Sequence, residues 1–232
     1  MSRFFCHFLK ISKDNQKYVD ISFSITKSLA LIGESGSGKS LTLKALLQML
    51  PKDFKAQISY EGGFKLERGK TLGYVPQNPF TALSPLTKIK DQWIIHTDIA
   101  PKMMEQVGLS SELLNRFPPE LSGGQLQRIV IAMALVANPK LLLLDEPTTA
   151  LDANLRDVIV KLLLKLQKEF KFKMLFVTHD IFTASKLCDE IVVIKSGKIV
   201  ESGLMDEVLK SPAQEYTKAL IDAGFSNREF RK

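Results

Sequence analysis

Apolar and polar positions alternate along Phe4–Ile11 and again along Val19–Ile25, which predicts two half-buried strands separated by the polar turn Ser12–Lys17. Leu29–Ile32 reads LALI, a short unbroken apolar run that stops at a glycine-rich stretch, the pattern of a strand buried on both faces and feeding a helix. Ser40–Leu50 is predicted to be that helix, stopped before Pro51, and Thr71–Gln77 another strand, ended by Pro76 and Pro79. From about Thr81 to Leu135 the pattern turns helical. Lys88–His96, Pro101–Leu109 and Ser111–Phe117 read as short helices, and a longer one follows Ser122-Gly123-Gly124. Lys140–Pro147, KLLLLDEP, is apolar until it closes on two acids and a proline. Val158, Ile159, Leu162, Leu163 and Leu166 then recur at helical spacing. Lys173–His179 and Glu190–Gly203 return to strands, the second a hairpin turned at Ser196-Gly197. Strands alternating with helices predict an α/β fold with a parallel sheet covered on both faces, and residues 81–135 form an inserted helical subdomain. The last ten residues, 223–232, are a polar, basic tail.

Composition adds little beyond this. The chain has 232 residues, 45% hydrophobic and 25% charged, which suits one globular domain with a small insert. Its net charge of +7 suits nucleic acid, an anionic membrane surface or a phosphorylated ligand, but on charge alone a surface merely rich in lysine comes first. Cys6 and Cys188 stand far apart with no ligand spacing and read as reduced thiols of a cytosolic protein. The longest apolar run, Ile129–Ala137, falls short of the roughly 20 residues that span a bilayer. The N-terminus, broken by His7 and Lys10, reads as a first strand and not as a leader.

The candidate chemistry lies where strands end. Gly33, Gly38, Lys39 and Ser40 fit G-x-x-x-x-G-K-[ST], with a strand before and a helix after. Glycines there let backbone N–H groups of the loop, from Glu34, Ser35, Gly36 and Ser37 through Leu41, turn toward phosphate oxygens at a helix N-terminus. Lys39 is expected to reach the β- and γ-phosphates and Ser40 to ligate Mg²⁺. Asp145 closes a buried strand, where open sheets bind ligands, and is a second Mg²⁺ ligand; Glu146 beside it is placed to activate an attacking water. His179 and Gln77 close two more strands. His179 is expected to contact the γ-phosphate, and Gln77 to ligate Mg²⁺ and sense what packs against the insert. His7 and His96 have no such placement.

GESGSGKS, VPQN, LSGGQ, LLLLDEP, TTALD and VTHD occur here in the order found in ATP-binding cassette (ABC) ATPases, and the resemblance spans Phe4 to about Gly203. It implies a P-loop NTPase fold with a small antiparallel β subdomain and a helical signature subdomain inside one ATP-binding domain, residues 1–222. The cofactors implied are ATP and Mg²⁺. Ser122, Gly123, Gly124 and Gln125 resemble the family's signature, a second phosphate-facing helix start. In similar proteins two ATPase subunits pack head to tail, and each signature caps the γ-phosphate held by the other subunit's loop. Asp152 would then lie at the seam. Adenine is left to Tyr18 or Phe8, because the first hairpin is short.

Gln77, Pro79, Leu83 and Pro85 resemble the Q-x-P-x-x-x-L-x-P run of the peptide and nickel importer group. The chain stops at Lys232 without a cysteine after Cys188, which resembles the shorter nickel-importer ATPases; dipeptide or oligopeptide is the competing cargo. The resemblance implies a peripheral subunit on the cytoplasmic face of the cell membrane. Two permease subunits, a second identical or paralogous ATPase and, indirectly, a substrate-binding protein are its implied partners, with no nucleic acid among them. No nickel site is expected in the chain itself. A soluble ABC ATPase of DNA repair or the ribosome is the rival reading; the short insert and single cassette speak against it, as does the lack of a basic stripe with interleaved aromatics. The Q-x-P pattern speaks against an exporter, and the intact Glu146, His179 and signature against a non-hydrolysing cassette.

Overall fold

A computed structural model describes residues 3–93, 97–149 and 151–229; His96 and Ala150 lie outside the described residues. In chain order the strands and α-helices are β1 (Phe4–Lys13), β2 (Gln16–Ile25), β3 (Ser28–Ile32), α1 (Lys39–Leu46), β4 (Lys55–Glu61), β5 (Leu72–Val75), α2 (Pro79–Ala82), α3 (Ala100–Gln106), α4 (Gly123–Leu135), β6 (Leu141–Asp145), α5 (Ala153–Phe170), β7 (Lys173–Thr178), α6 (Ile181–Leu187), β8 (Glu190–Lys195), β9 (Lys198–Leu204), α7 (Met205–Lys210) and α8 (Glu215–Glu229). They fall into two compact units. One holds the residues up to Leu66 and those from Lys173 on; the other is Glu67–Phe172.

In the first unit β1 pairs antiparallel with β2 and β4. The β1–β2 turn is tighter than the polar stretch predicts. Asp14 and Asn15 alone make it, both at positive φ (48° and 60°), the backbone of a two-residue hairpin turn. A second sheet runs β7-β3-β8-β9, with β3 parallel to both neighbours and β9 antiparallel to β8. All five residues of β3 and all six of β7 are buried, which explains their unbroken apolar character. Phe4, Leu9, Ile11, Ile25, Leu31, Ile32, Leu43 and Leu46 are fully buried in this unit.

Helix α1 ends at Leu46, four residues before its expected stop at Leu50. Gln48 takes φ 54°, its N–H bonds Ala45 O at 3.0 Å, and Met49 N–H bonds Lys44 O at 2.7 Å. This paired closure satisfies the last carbonyls and turns the chain away; glutamine fills the place usually given to glycine. Strand β4 is an addition to the sequence-based expectation. Its residues are half-buried or exposed with no alternation, so the hydrophobic pattern gives no sign of it.

In the second unit β5 and β6 pair in parallel, Val75 beside Leu144. Gly73 admits this packing: a Cβ there would lie 2.5 Å from the Ala134 carbonyl and 2.9 Å from Leu142. Of the three short helices expected before the signature, one is α3; the other two are single 3₁₀ turns at Ile89–Gln92 and Ser111–Asn115. Ile129, Ile131, Ile159, Leu163 and Leu166 are fully buried along α4 and α5. Among the described residues, no helix is long and apolar enough to cross a membrane. Cys6 and Cys188 are both buried and unbridged.

Candidate functional site

The glycine loop grows from the C-terminal end of β3, and its form is imposed by crowding. A Cβ on Gly33 would lie 2.3 Å from the Ile194 carbonyl and 2.7 Å from Ser37 Oγ, so no side chain fits. Gly38 has φ 107°, and a Cβ there would press on Val19 at 2.8 Å. The turn closes through Ser37 N–H to Glu34 O at 3.2 Å, and α1 begins at Lys39. Glu34, Ser35 and Gly36 are exposed while Lys39 is only 5% exposed. The Lys39 ammonium is turned into the loop, donating to Gly33 O at 2.7 Å and Glu34 O at 2.8 Å. Ser40 is exposed and Leu41 half-buried in the first turn of α1.

The same unit places His179. Ile32 stands beside Thr178 in the parallel β3–β7 pair, so Gly33 and His179 leave neighbouring strands at one edge of the sheet. His179 is exposed there. Asp180 caps α6, accepting from Thr183 N–H at 3.0 Å and Thr183 Oγ1 at 2.6 Å. The Ser196-Gly197 turn also belongs to this loop, which sequence reasoning missed. Gly197 N–H donates to Ser37 O at 2.9 Å, and Gly197 O accepts from Asp20 N–H at 2.8 Å. A Cβ at Gly197 would stand 1.9 Å from the Tyr18 carbonyl, so the contact exists only because residue 197 is glycine. Of the two aromatics left for adenine, Tyr18 packs edge-on against Phe54 at 5.3 Å, and Phe8 lies under Lys10 Nζ at 5.4 Å.

The second unit brings together Gln77, Asp145 and Glu146. In the β5–β6 register Pro76 lies opposite Asp145, so Gln77 and Glu146 follow at the same strand ends. Gln77 Nε2 is 3.4 Å from Glu146 Oε2, and Thr149 Oγ1 donates to the same oxygen at 3.0 Å. Glu146 has φ 45°, a left-handed backbone that a glutamate pays for in strain and that aims its carboxylate. Asp145 is 7% exposed and hydrogen-bonded by the Tyr74 hydroxyl. Burial, then the Asp145 charge, push the Tyr74 hydroxyl up to about 12, so it stays a hydrogen-bond donor to Asp145. Tyr74 and Thr149 are the supporting residues that motif reading missed; the only sign of Tyr74 is a hydroxyl inside an otherwise apolar strand. Within this unit Asp145 and the amide oxygen of Gln77 are carboxylate and carbonyl oxygens, the hard donors that suit Mg²⁺.

Ser122 is the N-cap of α4. Its Oγ accepts from Gln125 N–H at 3.2 Å, and Gln125 Oε1 accepts from Ser122 N–H at 2.8 Å. This reciprocal cap uses the Ser122 and Gln125 N–H groups and leaves those of Gly123 and Gly124 out of it. Gly124 lets α4 meet α5, since a Cβ there would be 3.0 Å from Leu155. Arg128 ties the same turn to the end of α3 through Gly124 O at 3.3 Å and Gly108 O at 3.1 Å. Asp152 caps α5, accepting from Leu155 N–H at 2.9 Å.

A family model described as ABC transporter matches residues 17–149. The chain is 38% identical over 230 residues to the oligopeptide transport ATP-binding protein OppD of Bacillus subtilis, covering 87% of this chain and 64% of that protein. It is 37% identical to the dipeptide transport ATP-binding protein DppF of Haemophilus influenzae, covering 88% and 68%. It is 34% identical to the metal-staphylopine import system ATP-binding protein CntD of Staphylococcus aureus, covering 87% and 84%. The chain therefore spans about two thirds of the length of the two peptide-transport relatives. The crystal structure of the ADP conformation of MJ1267, an ATP-binding cassette of an ABC transporter, superimposes with a TM-score of 0.76 at 22% identity, over 94% of this chain and 99% of that one. That likeness is one of fold.

Proposed function

The chain belongs to the ABC transporter family of ATP-binding proteins, and we propose that it is the ATP-hydrolysing subunit of a multi-subunit importer. The observation that supports this most is the hydrogen bond joining Gln77 to Glu146, because it links the expected base to the residue from which the helical segment departs. The ATP-binding domain has 81–135 as its helical part, and α8 carries it past the boundary expected at residue 222, where a polar tail was to begin, as far as Glu229.

Lys39 keeps one N–H on the Gly33 carbonyl and turns its other donors to the β- and γ-phosphates of ATP in charge-assisted bonds. Backbone N–H groups of the glycine loop and the start of α1 hold the remaining phosphate charge. Ser40, Asp145 and Gln77 would hold Mg²⁺, which when bound would supply positive charge against the negative charge that develops during transfer. Glu146 accepts a proton from water as that oxygen bonds to the γ-phosphorus and the bond to ADP breaks; phosphate and ADP result. His179 orients the γ-phosphate. Two ATPase subunits pair head to tail, and Ser122, Gly123, Gly124 and Gln125 of one cap the phosphate held by the other, with Asp152 at the seam.

Gln77 carries the coupling. A permease helix docking beside it shifts its amide, and the shared hydrogen bond passes that shift to Glu146. The protein works peripherally at the cytoplasmic face of the membrane with two permease subunits and a substrate-binding protein. The cargo we favour is small peptide, after the names of OppD and DppF. A metal complex is the second reading, after the name of CntD.

ATPase rate in lipid nanodiscs holding this chain, its co-purifying permease and the binding protein tests this. Peptide-loaded binding protein should stimulate turnover. Stimulation by the Ni²⁺-loaded form alone would move the cargo to metal, and turnover insensitive to the permease would end the importer reading.

A further inference from the structure

The N–H of Glu34, second residue of the glycine loop, donates to the phenol oxygen of Tyr216 at 3.1 Å. Tyr216 lies 182 positions away, in the first turn of α8. The peptide joining Gly33 to Glu34 is one rigid plane, with the Gly33 carbonyl on one side and the Glu34 N–H on the other. The carbonyl side accepts from Lys39 Nζ at 2.7 Å. Tyr216 and Lys39 therefore grip opposite sides of one peptide plane. A rotation that releases the tyrosine also turns the carbonyl away from the ammonium.

Tyr216 is itself held. Lys195 Nζ sits 4.5 Å from its ring centroid, a cation–π contact on the strand leading to the Ser196-Gly197 turn. The Glu201 carboxylate accepts the N–H groups of Ala213 at 2.7 Å and Gln214 at 3.1 Å, just before α8, and so fixes where that helix starts. Gly224 lets the helix approach α6, since a Cβ there would be 2.9 Å from Ile181.

We propose that Tyr216 is a positioning residue for nucleotide: its hydroxyl sets the Gly33–Glu34 peptide and, through it, the direction of the Lys39 ammonium. The proposal rests on the reading that this loop binds ATP. It assigns α8, which lies outside every sequence motif, a part in the phosphate site.

The test uses the whole chain with Tyr216→Phe, which keeps the ring and its contact with Lys195 and removes the acceptor. Three quantities are read: hydrogen exchange of the Glu34 amide, affinity for a fluorescent ATP analogue with Mg²⁺, and the unfolding temperature without nucleotide. Exchange at Glu34 should quicken about five- to tenfold and affinity fall by a similar factor, the size of one net hydrogen bond. The unfolding temperature should move by no more than about 5 °C, within what one such bond makes. Unchanged exchange and affinity overturn the proposal. So does weaker affinity that tracks a large drop in unfolding temperature with exchange at Glu34 unchanged, which marks a general packing role. If the unaltered chain binds no ATP, the nucleotide reading itself fails and takes this role with it; wild-type binding that is lost in Lys39→Ala separates the two failures.

Discussion

Gln77 and Thr149 converge on a single oxygen of Glu146, one from the strand end of β5 and the other from the turn after β6. The carboxylate is thereby held before any nucleotide arrives, on a backbone at φ 45°. Pre-set direction of this kind lowers the reorganisation left for the reaction itself.

Glu146→Gln keeps the shape and both neighbours but cannot take a proton. Turnover should fall by at least about 100-fold while ATP is still bound. Size-exclusion chromatography with ATP should then show a stable dimer. Normal turnover in this variant would remove Glu146 from the role of base.

Ser122 serves two purposes that separate by substitution. Ser122→Ala breaks the cap of α4 and should cost about 1 kcal/mol in denaturant unfolding. Ser122→Arg should leave ATP binding by the single chain intact and abolish the hydrolysis that depends on pairing. Equal ATPase rates in Ser122→Arg and the unaltered chain would argue against a signature that works across two subunits.

Gly197→Ala puts a methyl 1.9 Å from the Tyr18 carbonyl at a φ of 76°. The chain must lose its bonds to Ser37 and Asp20 or unfold. We expect a loss of about 4 kcal/mol or more in urea unfolding, together with weaker nucleotide binding. A variant with unchanged unfolding would show that the turn can move aside freely.

Glu201 supplies a pH dependence. Burial pushes its carboxyl up, but hydrogen bonds to it, those from the N–H groups of Ala213 and Gln214 among them, pull it below its ordinary value of 4.5. A depressed folded value means the stabilisation is fully present above the ordinary value and is lost as pH falls through the lower one. Protection of the α8 amides, corrected for the intrinsic exchange rate at each pH, should therefore fall on acidification below about pH 4.5, and the fall should flatten in Glu201→Gln. A profile identical in both chains would show that Glu201 does not hold this helix.

The loop and strand ends that carry the candidate site were legible because packing forces residue type there. Gly33 and Gly38 have no alternative at their positions, and Asp145 closes a strand buried along its whole length. The strands β3, β6 and β7 announced themselves as unbroken apolar runs. What escaped was set by contacts distant in sequence or by backbone geometry. Strand β4 has no periodic burial to betray it. The early end of α1 rests on Gln48 adopting a backbone that its type rarely takes. Tyr74 looks like an ordinary strand residue until Asp145 is seen beside it. The grip of Gly197 on Ser37 spans 160 positions, and no local pattern encodes it.

That last span has a consequence for biosynthesis. The motif GESGSGKS leaves the ribosome well before the partners that shape it, Ile194 and Gly197, which are made about 160 residues later. β3 likewise waits for β7 and β8, both of its neighbours in the first unit. Contacts this far apart in sequence form late and slowly. A nascent chain that stalls before residue 190 thus carries the phosphate-binding motif but not its folded form, and ATP capture becomes a report that synthesis has passed that point.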